Sequence, residues 1–250
     1  METITRRDLL VTAGITASGA SGFLSAGNAG AEGAPKLKIV VAGGHPGDPE
    51  AACGGTMARL ADSGHEVVAL YVTQGEKGVD GKTGQEAAAI RSGEAREACA
   101  VLKARALLFD QPDGNTEINS ARYEAFRKVL ELEKPHAVFT HWPIDTHRDH
   151  RVCSLLAYDA WLASGRKFAL YYYEVSTGEE TQHFRPTHYV DITATEKRKR
   201  AACFCHVSQN PAKFYVSHEA MQRFRGFESA CKLAEAFVHH EQSPATGLPS

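Results

Sequence analysis

The sequence has almost no excess of charge of either sign. Its 28 Lys and Arg residues are matched by 30 Asp and Glu residues, so the formal net charge is −2 over 250 residues. A protein that binds nucleic acid or an anionic membrane mainly through electrostatic attraction is normally basic. The charge balance therefore disfavours both kinds of partner.

Internal repeats are also lacking, and no low-complexity tract follows residue 33. Hydrophobic residues make up 43% of the chain and charged residues 23%, which is ordinary for a globular protein and excludes a disordered chain, a collagen or a coiled coil. A chain of this length can bury most of its apolar surface. We predict one domain over residues 32–240 and a mobile tail over 241–250.

Cysteine is sparse, and its spacing does not complete a zinc site. The pair Cys203 and Cys205 has no second cysteine pair to join it in a four-ligand site. We therefore predict that most of the cysteines are small buried thiols. The six positions are Cys53, Cys99, Cys153, Cys203, Cys205 and Cys231.

Residues 1–31 have the three parts of an export signal. The pair Arg6-Arg7 precedes a weakly apolar stretch rich in Ala, Gly and Ser, and Ala29-Gly30-Ala31 supplies small residues for cleavage. The arginine pair resembles a twin-arginine (Tat) signal, which predicts export to the periplasm or the medium. The alternative is an uncleaved membrane anchor, although the stretch is too poor in Leu and Ile to favour stable spanning. We expect no membrane span after cleavage.

Strand and helix patterns alternate through most of the remaining chain. Such alternation predicts an α/β fold, a Rossmann-like three-layer sandwich with a mostly parallel central sheet. The C-terminal part predicts one short further strand followed by helices over 195–209 and 217–239. The predicted strands are 36–43, 65–73, 105–110, 136–140, 168–175 and 189–192, and the earlier helices are 49–63, 85–103, 121–134 and 149–164.

Ligands of such sheets bind at the carboxyl ends of the strands, and unusual polar residues follow the first strand. His45 and Asp48 lie three residues apart on a tight turn, so that an imidazole and a carboxylate can face one metal ion. Asp48 alternatively caps the helix that begins at Pro49, and His45 is then an ordinary turn residue. The surrounding glycines also leave open a phosphate-binding loop, although they do not form the dinucleotide pattern.

The loop after the fourth strand, residues 141–150, contains three His and two Asp. His147 and His150 are spaced so that both rings lie on one face of a helix start. This loop belongs to the same edge of the predicted sheet as His45. Two His and one Asp would give three protein ligands and an open position for water, as in catalytic zinc sites. A polar surface loop without a ligand is the alternative.

The two loops together resemble the PIG-L (LmbE-like) family of metal-dependent de-N-acetylases. The family motif His-Pro-Asp-Asp followed by Glu or Pro-Glu stands here as His45-Pro46-Gly47-Asp48-Pro49-Glu50, and the motif His-x-Asp-His stands as His147-Arg148-Asp149-His150. The two motifs are specific in combination. Weaker matches extend the similarity over residues 36–238.

The resemblance implies a Rossmann-like fold and removal of an N-acetyl group from an amino sugar or its conjugate. It assigns a zinc ion, or another divalent metal, to His45, Asp48 and His150. It implies that His147 steadies the oxyanion or protonates the leaving amine, and that Asp149 orients His147. The expected partner is a small N-acetylated sugar or glycoconjugate rather than a nucleic acid.

One position departs from the family pattern. Gly47 stands where the family has the Asp that acts as general base, and the loss of a general base typically lowers a rate ~10²–10⁴-fold. Either another carboxylate (Glu50, Asp145 or Asp149) replaces it, or His147 is both base and acid, or the site binds sugar without turnover. The last possibility is a rival function, namely a non-catalytic exported carbohydrate-binding protein that keeps the metal site.

Three residues outside the two motifs are candidates for substrate contacts. They are Arg91 in the second helix and His206 and Gln209 near the C-terminal helices. The alternatives are a surface charge for Arg91 and local hydrogen-bonding caps for His206 and Gln209.

Overall fold

The fold is organised around one seven-stranded sheet, and a computed structural model of the protein describes it over residues 35–245. The predicted signal peptide and residues 246–250 of the predicted tail lie outside the described residues. The strands are β1 (Lys38–Gly43), β2 (Glu66–Thr73), β3 (Arg105–Gln111), β4 (Ala137–His141), β5 (Ala169–Tyr173), β6 (His188–Asp191) and β7 (Ala234–His239).

Six α-helices of the described chain connect these strands or follow them. They are α1 (Asp48–Asp62), α2 (Gly84–Leu102), α3 (Ser120–Glu133), α4 (Arg148–Ala163), α5 (Glu196–Phe204) and α6 (Pro211–Glu228). A single 3₁₀ turn, Val207–Gln209, joins α5 to α6. The first four helices begin and end within about one residue of the predicted ranges.

The strand order across the sheet is β3-β2-β1-β4-β5-β7-β6. The first five strands pair in parallel, with Val41 opposite Ala69 on β2 and Phe139 on β4. The last two strands pair antiparallel. The predicted α/β class with a mostly parallel sheet is therefore confirmed.

Apolar side chains cover both faces of this sheet, which gives the three predicted layers. On one face, residues of β1, β2 and β4 pack against α1, α2 and α5, with Met57 and Leu102 fully buried. On the other face, α3 and α4 pack against the same strands through Phe126 and Trp161. Because both faces are covered, the strands read as continuous apolar runs rather than as alternating patterns.

The helix predicted over residues 217–239 is wrong in its second half. Helix α6 ends at Glu228, Ala230 has a positive φ of 58°, and the chain then forms β7. The Ala-Glu-Ala start of β7 has the composition of a helix, but pairing with β5 and β6 overrides that propensity.

All six cysteines lie within the described residues and are free thiols. Four of them are fully buried, as predicted, while Cys205 and Cys231 are half-buried. Over residues 35–245, no helix combines the length and the hydropathy that a membrane-spanning segment requires.

A buried ion pair joins the C-terminal elements to the first helix. Lys199 Nζ on α5 lies 2.7 Å from Glu235 Oε1 on β7, and both side chains are at most 2% exposed. The same carboxylate accepts hydrogen bonds from the backbone N–H groups of Gly55 and Thr56 in α1 at 2.9 and 2.8 Å. Glu235 therefore links β7 to α5 and α1, and both of its carboxylate oxygens accept hydrogen bonds.

We predict that Glu235→Ala lowers the free energy of unfolding by about 3–5 kcal/mol, because it leaves the Lys199 charge buried without a partner. Urea unfolding is the measurement. The control is Glu219→Ala, which breaks the exposed pair with Arg223 on α6 and is expected to cost about 0–1 kcal/mol. Equal losses for the two variants would contradict the prediction.

Candidate metal and active site

The candidate site lies at the carboxyl edge of the sheet, where the loops after β1, β3, β4 and β5 meet. A cavity of about 540 Å³ opens there. Four of the five histidine and aspartate residues of the two motifs line it, namely His45, Asp48, His147 and His150. The two motifs, about a hundred residues apart in the chain, thus contribute to one cavity.

Asp48 lies at the centre of this group of side chains. Its Oδ2 atom is 3.2 Å from His45 Nδ1 and 3.3 Å from His150 Nε2. The three predicted ligands therefore point their donor atoms at one small region. Asp48 does not cap α1, because Gly47 is the N-cap residue and Asp48 Oδ2 accepts a hydrogen bond from the His45 N–H at 2.8 Å.

Each of the two predicted histidine ligands is held from behind by a carboxylate. His45 Nε2 is 3.1 Å from Asp149 Oδ2, and His150 Nδ1 is 3.2 Å from Asp145 Oδ1. Metal-ligating histidines commonly carry such an outer carboxylate, which fixes the tautomer and the ring orientation. The nitrogens that remain, His45 Nδ1 and His150 Nε2, are the ones that face Asp48.

The role predicted for Asp149 is wrong in one respect, because its carboxylate faces His45 and not His147. Its oxygens accept hydrogen bonds from the Gly114 N–H at 2.7 Å and the Thr116 hydroxyl at 2.6 Å. Only the backbone N–H of Asp149 reaches His147, where it donates to Nδ1 at 3.2 Å. Asp149 therefore orients His45 with its side chain and His147 with its main chain.

This main-chain contact determines what His147 can do. A ring whose Nδ1 accepts a hydrogen bond carries its proton on Nε2 when it is neutral. Burial, followed by the positive charges of His45 and His150, lowers the pKa of His147, which favours that neutral form. His147 can therefore present an N–H donor to a substrate oxygen or nitrogen in the cavity.

A fourth histidine of the site, His141, was missed as a functional candidate. Its ring stacks on His150 with centroids 3.9 Å apart, and its Nε2 accepts a hydrogen bond from the Gly44 N–H at 3.0 Å. Burial and the charge of His150 lower the pKa of His141 to about 4, so the ring is neutral. The same Nε2 lies 3.3 Å from Asp48 Oδ2, and His141 forms with Asp48 and His150 one of the groups that could hold a metal ion.

The ionisation of the ligands follows from their mutual contacts. Burial opposes the charged form of His150, but the negative charge of Asp48 and the hydrogen bond to Asp145 outweigh it and raise the pKa to about 9. Burial also opposes the charged form of His45, but the negative charge of Asp48 and the contacts with Asp113 and Asp149 outweigh it and raise the pKa. For Asp48, the charges of His150 and His45 overcome burial and hold the pKa well below its usual value. A metal ion would take over the positive charge that the two rings supply here.

Two further acidic residues line the cavity, and the motif analysis did not include them. Asp113 Oδ1, in the loop after β3, lies 3.2 Å from His45 Nε2. Glu180, beyond β5, lies 3.8 Å from His150 Nδ1, and burial raises its pKa to about 7. The position of Asp113 at the carboxyl end of a parallel strand was a usable signal.

The three predicted substrate-contact residues all line the same cavity. Arg91 is buried, so the surface alternative is wrong; its Nη2 donates to the Pro46 carbonyl at 2.7 Å and thereby supports the β1 loop. Gln209 donates to the Gly78 carbonyl at 2.7 Å. His206 is fully buried, and neither of its ring nitrogens has a hydrogen-bond partner among residues 35–245.

The donor set fits a divalent metal ion such as zinc. The predicted ligands are two imidazoles and one carboxylate, and the second nitrogen of each imidazole is held by a further carboxylate. Zinc prefers such ligands when it keeps a position open for water. Four overlapping groups of His, Asp and Glu near the cavity have donor atoms within 4.8 Å of one another. The predicted ligand set is divided between two of them: His45 and His150 share a group with His147, and Asp48 and His150 share a group with His141. His45, Asp48 and His150 are the residues that the family resemblance assigns to the ion.

Comparison with known proteins places this chain in a family. The PIG-L family, described as GlcNAc-PI de-N-acetylase, matches residues 40–161. The diacetylchitobiose deacetylase of Thermococcus kodakarensis is 30% identical over 192 residues, which is 70% of this chain and 70% of that protein. The conserved protein TT1542 of Thermus thermophilus superposes with a TM-score of 0.74 at 27% identity, over 86% of this chain and 99% of that one.

The same fold also occurs in an enzyme with a different reaction. The 4-carboxy-2-hydroxymuconate hydratase of Pseudomonas putida superposes with a TM-score of 0.74, over 85% of this chain and 99% of that chain. At 21% identity this likeness shows the fold alone. The reaction must therefore be inferred from the side chains of the site.

We predict that Asp149→Asn weakens metal binding ~10–100-fold, because the His45 ring loses its charged partner. Titration calorimetry with zinc measures the affinity. Glu131→Gln, which removes an exposed carboxylate on α3, is the control and should bind zinc like the wild type. Unchanged affinity of Asp149→Asn would contradict the role of Asp149 in holding His45.

Proposed function

This chain belongs to the PIG-L family of de-N-acetylases, and on that basis we propose that it is a metal-dependent hydrolase that removes an N-acetyl group from an amino sugar or its conjugate. The observation that carries the proposal is the convergence of His45 Nδ1 and His150 Nε2 on Asp48 Oδ2, within 3.3 Å, at the wall of an open cavity. His147 lies in the same cavity as a donor.

A bound divalent ion supplies a Lewis acid for the amide carbonyl and lowers the pKa of a water molecule beside it. The protein contributes the rest of the chemistry. The neutral His147 ring would stabilise the oxyanion of the tetrahedral intermediate through its Nε2–H. Alternatively, the ring would protonate the leaving amine once it carries a second proton. Asp149 and Asp145 keep the rings of His45 and His150 oriented for ligation.

The substrate class is proposed from the relatives and from the cavity. The Thermococcus relative is named a diacetylchitobiose deacetylase. A volume of about 540 Å³ accommodates a sugar unit with its acetamido group. Acidic and basic groups both line the cavity, with Asp113 and Lys77 on the side of the β3 loop, and these suit a ligand rich in hydroxyl groups.

The rival function, an exported carbohydrate-binding protein that keeps the metal but does not hydrolyse, is favoured by Gly47. The residue has no side chain, and its φ of 109° lies in the region that favours glycine. Gly47 therefore supplies no carboxylate base, and a residue with a side chain at this position would strain the loop.

We predict that the purified protein with zinc releases acetate from N-acetylglucosamine derivatives or diacetylchitobiose, that a chelator abolishes this activity and that added zinc restores it. His147→Gln should lower the rate ~10²–10⁴-fold, whereas His188→Gln, at an exposed histidine of β6, should retain it. Enzymatic determination of acetate is the measurement. Binding of zinc and sugar without acetate release would instead support the rival function.

We also propose that residues 1–31 are a Tat signal peptide that directs the protein to the periplasm or the medium, on the strength of Arg6-Arg7 and Ala29-Gly30-Ala31. Replacing both arginines by lysine should retain the chain inside the cell. Cell fractionation and mass determination of the N-terminus measure this. A full-length chain in the membrane fraction would indicate the anchor, and a full-length chain in the cytoplasm would contradict export.

A further inference from the structure

The missing carboxylate at Gly47 raises the question of which group accepts the proton of the attacking water. Three acidic residues near the motifs are the first candidates, but their oxygens are already engaged. Glu50 accepts from the Tyr71 hydroxyl and the Gly47 N–H, at 2.5 and 3.2 Å. None of the three lines the cavity: Glu50, Asp145 and Asp149.

Asp145 and Asp149 are occupied in the same way. Asp145 accepts from the His147 N–H and the Thr181 hydroxyl, at 2.8 and 3.0 Å, besides holding His150. Asp149 holds His45 and accepts two further hydrogen bonds. A carboxylate that already balances a ligating imidazole is a poor acceptor for a further proton.

His206 occupies the space next to the missing side chain. A Cβ atom built on Gly47 would lie 3.8 Å from His206 Cγ and 3.9 Å from His206 Nδ1. The ring is fully buried, yet it forms part of the cavity wall. Its two nitrogens are without hydrogen-bond partners among the described residues. A buried imidazole with no partner is costly unless a ligand or water engages it.

Glu50 lies next to the His206 ring, on the side of Nε2. Glu50 Oε1 is 3.3 Å from His206 Nε2, although the contact is not aligned well enough for a hydrogen bond. A small rotation would let Nε2–H donate to this carboxylate, which would leave Nδ1 as the free acceptor. Other charged or titratable side chains on the surrounding helices are Arg91 of α2 and His218 of α6, which line the same cavity.

We propose that His206 is the proton acceptor that replaces the absent carboxylate, with Glu50 as its positioning residue. The inference rests on the proposed deacetylation. In the reaction, one water proton passes to His206 Nδ1 while the water oxygen bonds to the amide carbon. The C–N bond then breaks, its electron pair stays on nitrogen, and the proton held by His206 passes to the amine, which returns His206 to its neutral form. Acetate and the free amino sugar are the products.

The first test compares His206→Gln with the control His188→Gln. We expect His206→Gln to lower kcat/KM for acetate release ~10²–10⁴-fold and to remove the acid limb of its pH profile. Zinc affinity by calorimetry should stay within twofold of the wild type, because His206 contributes no ligand. The same kcat/KM for both variants would overturn the proposal.

A second variant separates the chemical role from a structural one. His206→Ala leaves space beside Gly47, and free imidazole in solution should restore part of the lost rate in proportion to its unprotonated fraction. A ring needed only for packing would give no such dependence on the base form. Absence of rescue in a variant that still folds and binds zinc would count against His206.

Glu50→Gln tests the positioning residue. The amide keeps the size of the side chain but has no charge with which to hold the Nε2–H of His206, so kcat should fall while KM and zinc affinity stay within twofold of the wild type. Glu50→Asp, which keeps a carboxylate, should recover part of the lost rate. A Glu50→Gln variant as active as the wild type would overturn the assignment of Glu50.

Two further variants identify the competing acceptors. Asp113→Asn and Glu180→Gln remove the remaining acidic candidates of the cavity wall. Loss of the acid limb in either one, with the limb retained in His206→Gln, would overturn the proposal. Failure of the wild type to release acetate from any substrate would instead refute the proposed function, and an active wild type with an equally active His206→Gln would refute only this inference.

Discussion

The site depends on one partly buried negative charge, that of Asp48. Burial alone would raise the pKa of this carboxyl, and the rings of His150 and His45 outweigh that effect. Each ring then needs a carboxylate of its own, which Asp145 and Asp149 provide. Carboxylates and imidazoles thus alternate across the site. Removal of any one of them would leave a neighbouring charge without its partner.

Much of this arrangement could be predicted from the sequence because topology and motif agree. Alternating strand and helix patterns bring the loops after β1 and β4 to one edge, and the histidine and aspartate spacing marks those loops. The carboxylates that orient the histidine rings were harder to predict. The partner of the Asp149 carboxylate depends on side-chain direction across two loops, and the motif spacing alone suggested His147 where the structure has His45.

The misread C-terminal strand has a related cause. The residues of β7 have helical composition, and only pairing with β5 and burial of Glu235 against Lys199 make them a strand. Such long-range contacts are invisible to local patterns. Asp113 was overlooked for a simpler reason, since the loop after β3 carries no motif although it reaches the same sheet edge.

The part of the chain beyond α4 has a distinct place in this architecture. The match to the PIG-L family ends at residue 161, before α5 and α6, yet His206, Gln209 and His218 form one wall of the cavity. The residues assigned to the metal ion and the wall that contains His206 thus come from separate stretches of the chain. A substitution in the C-terminal stretch therefore changes the shape of the cavity without touching the side chains assigned to the metal ion.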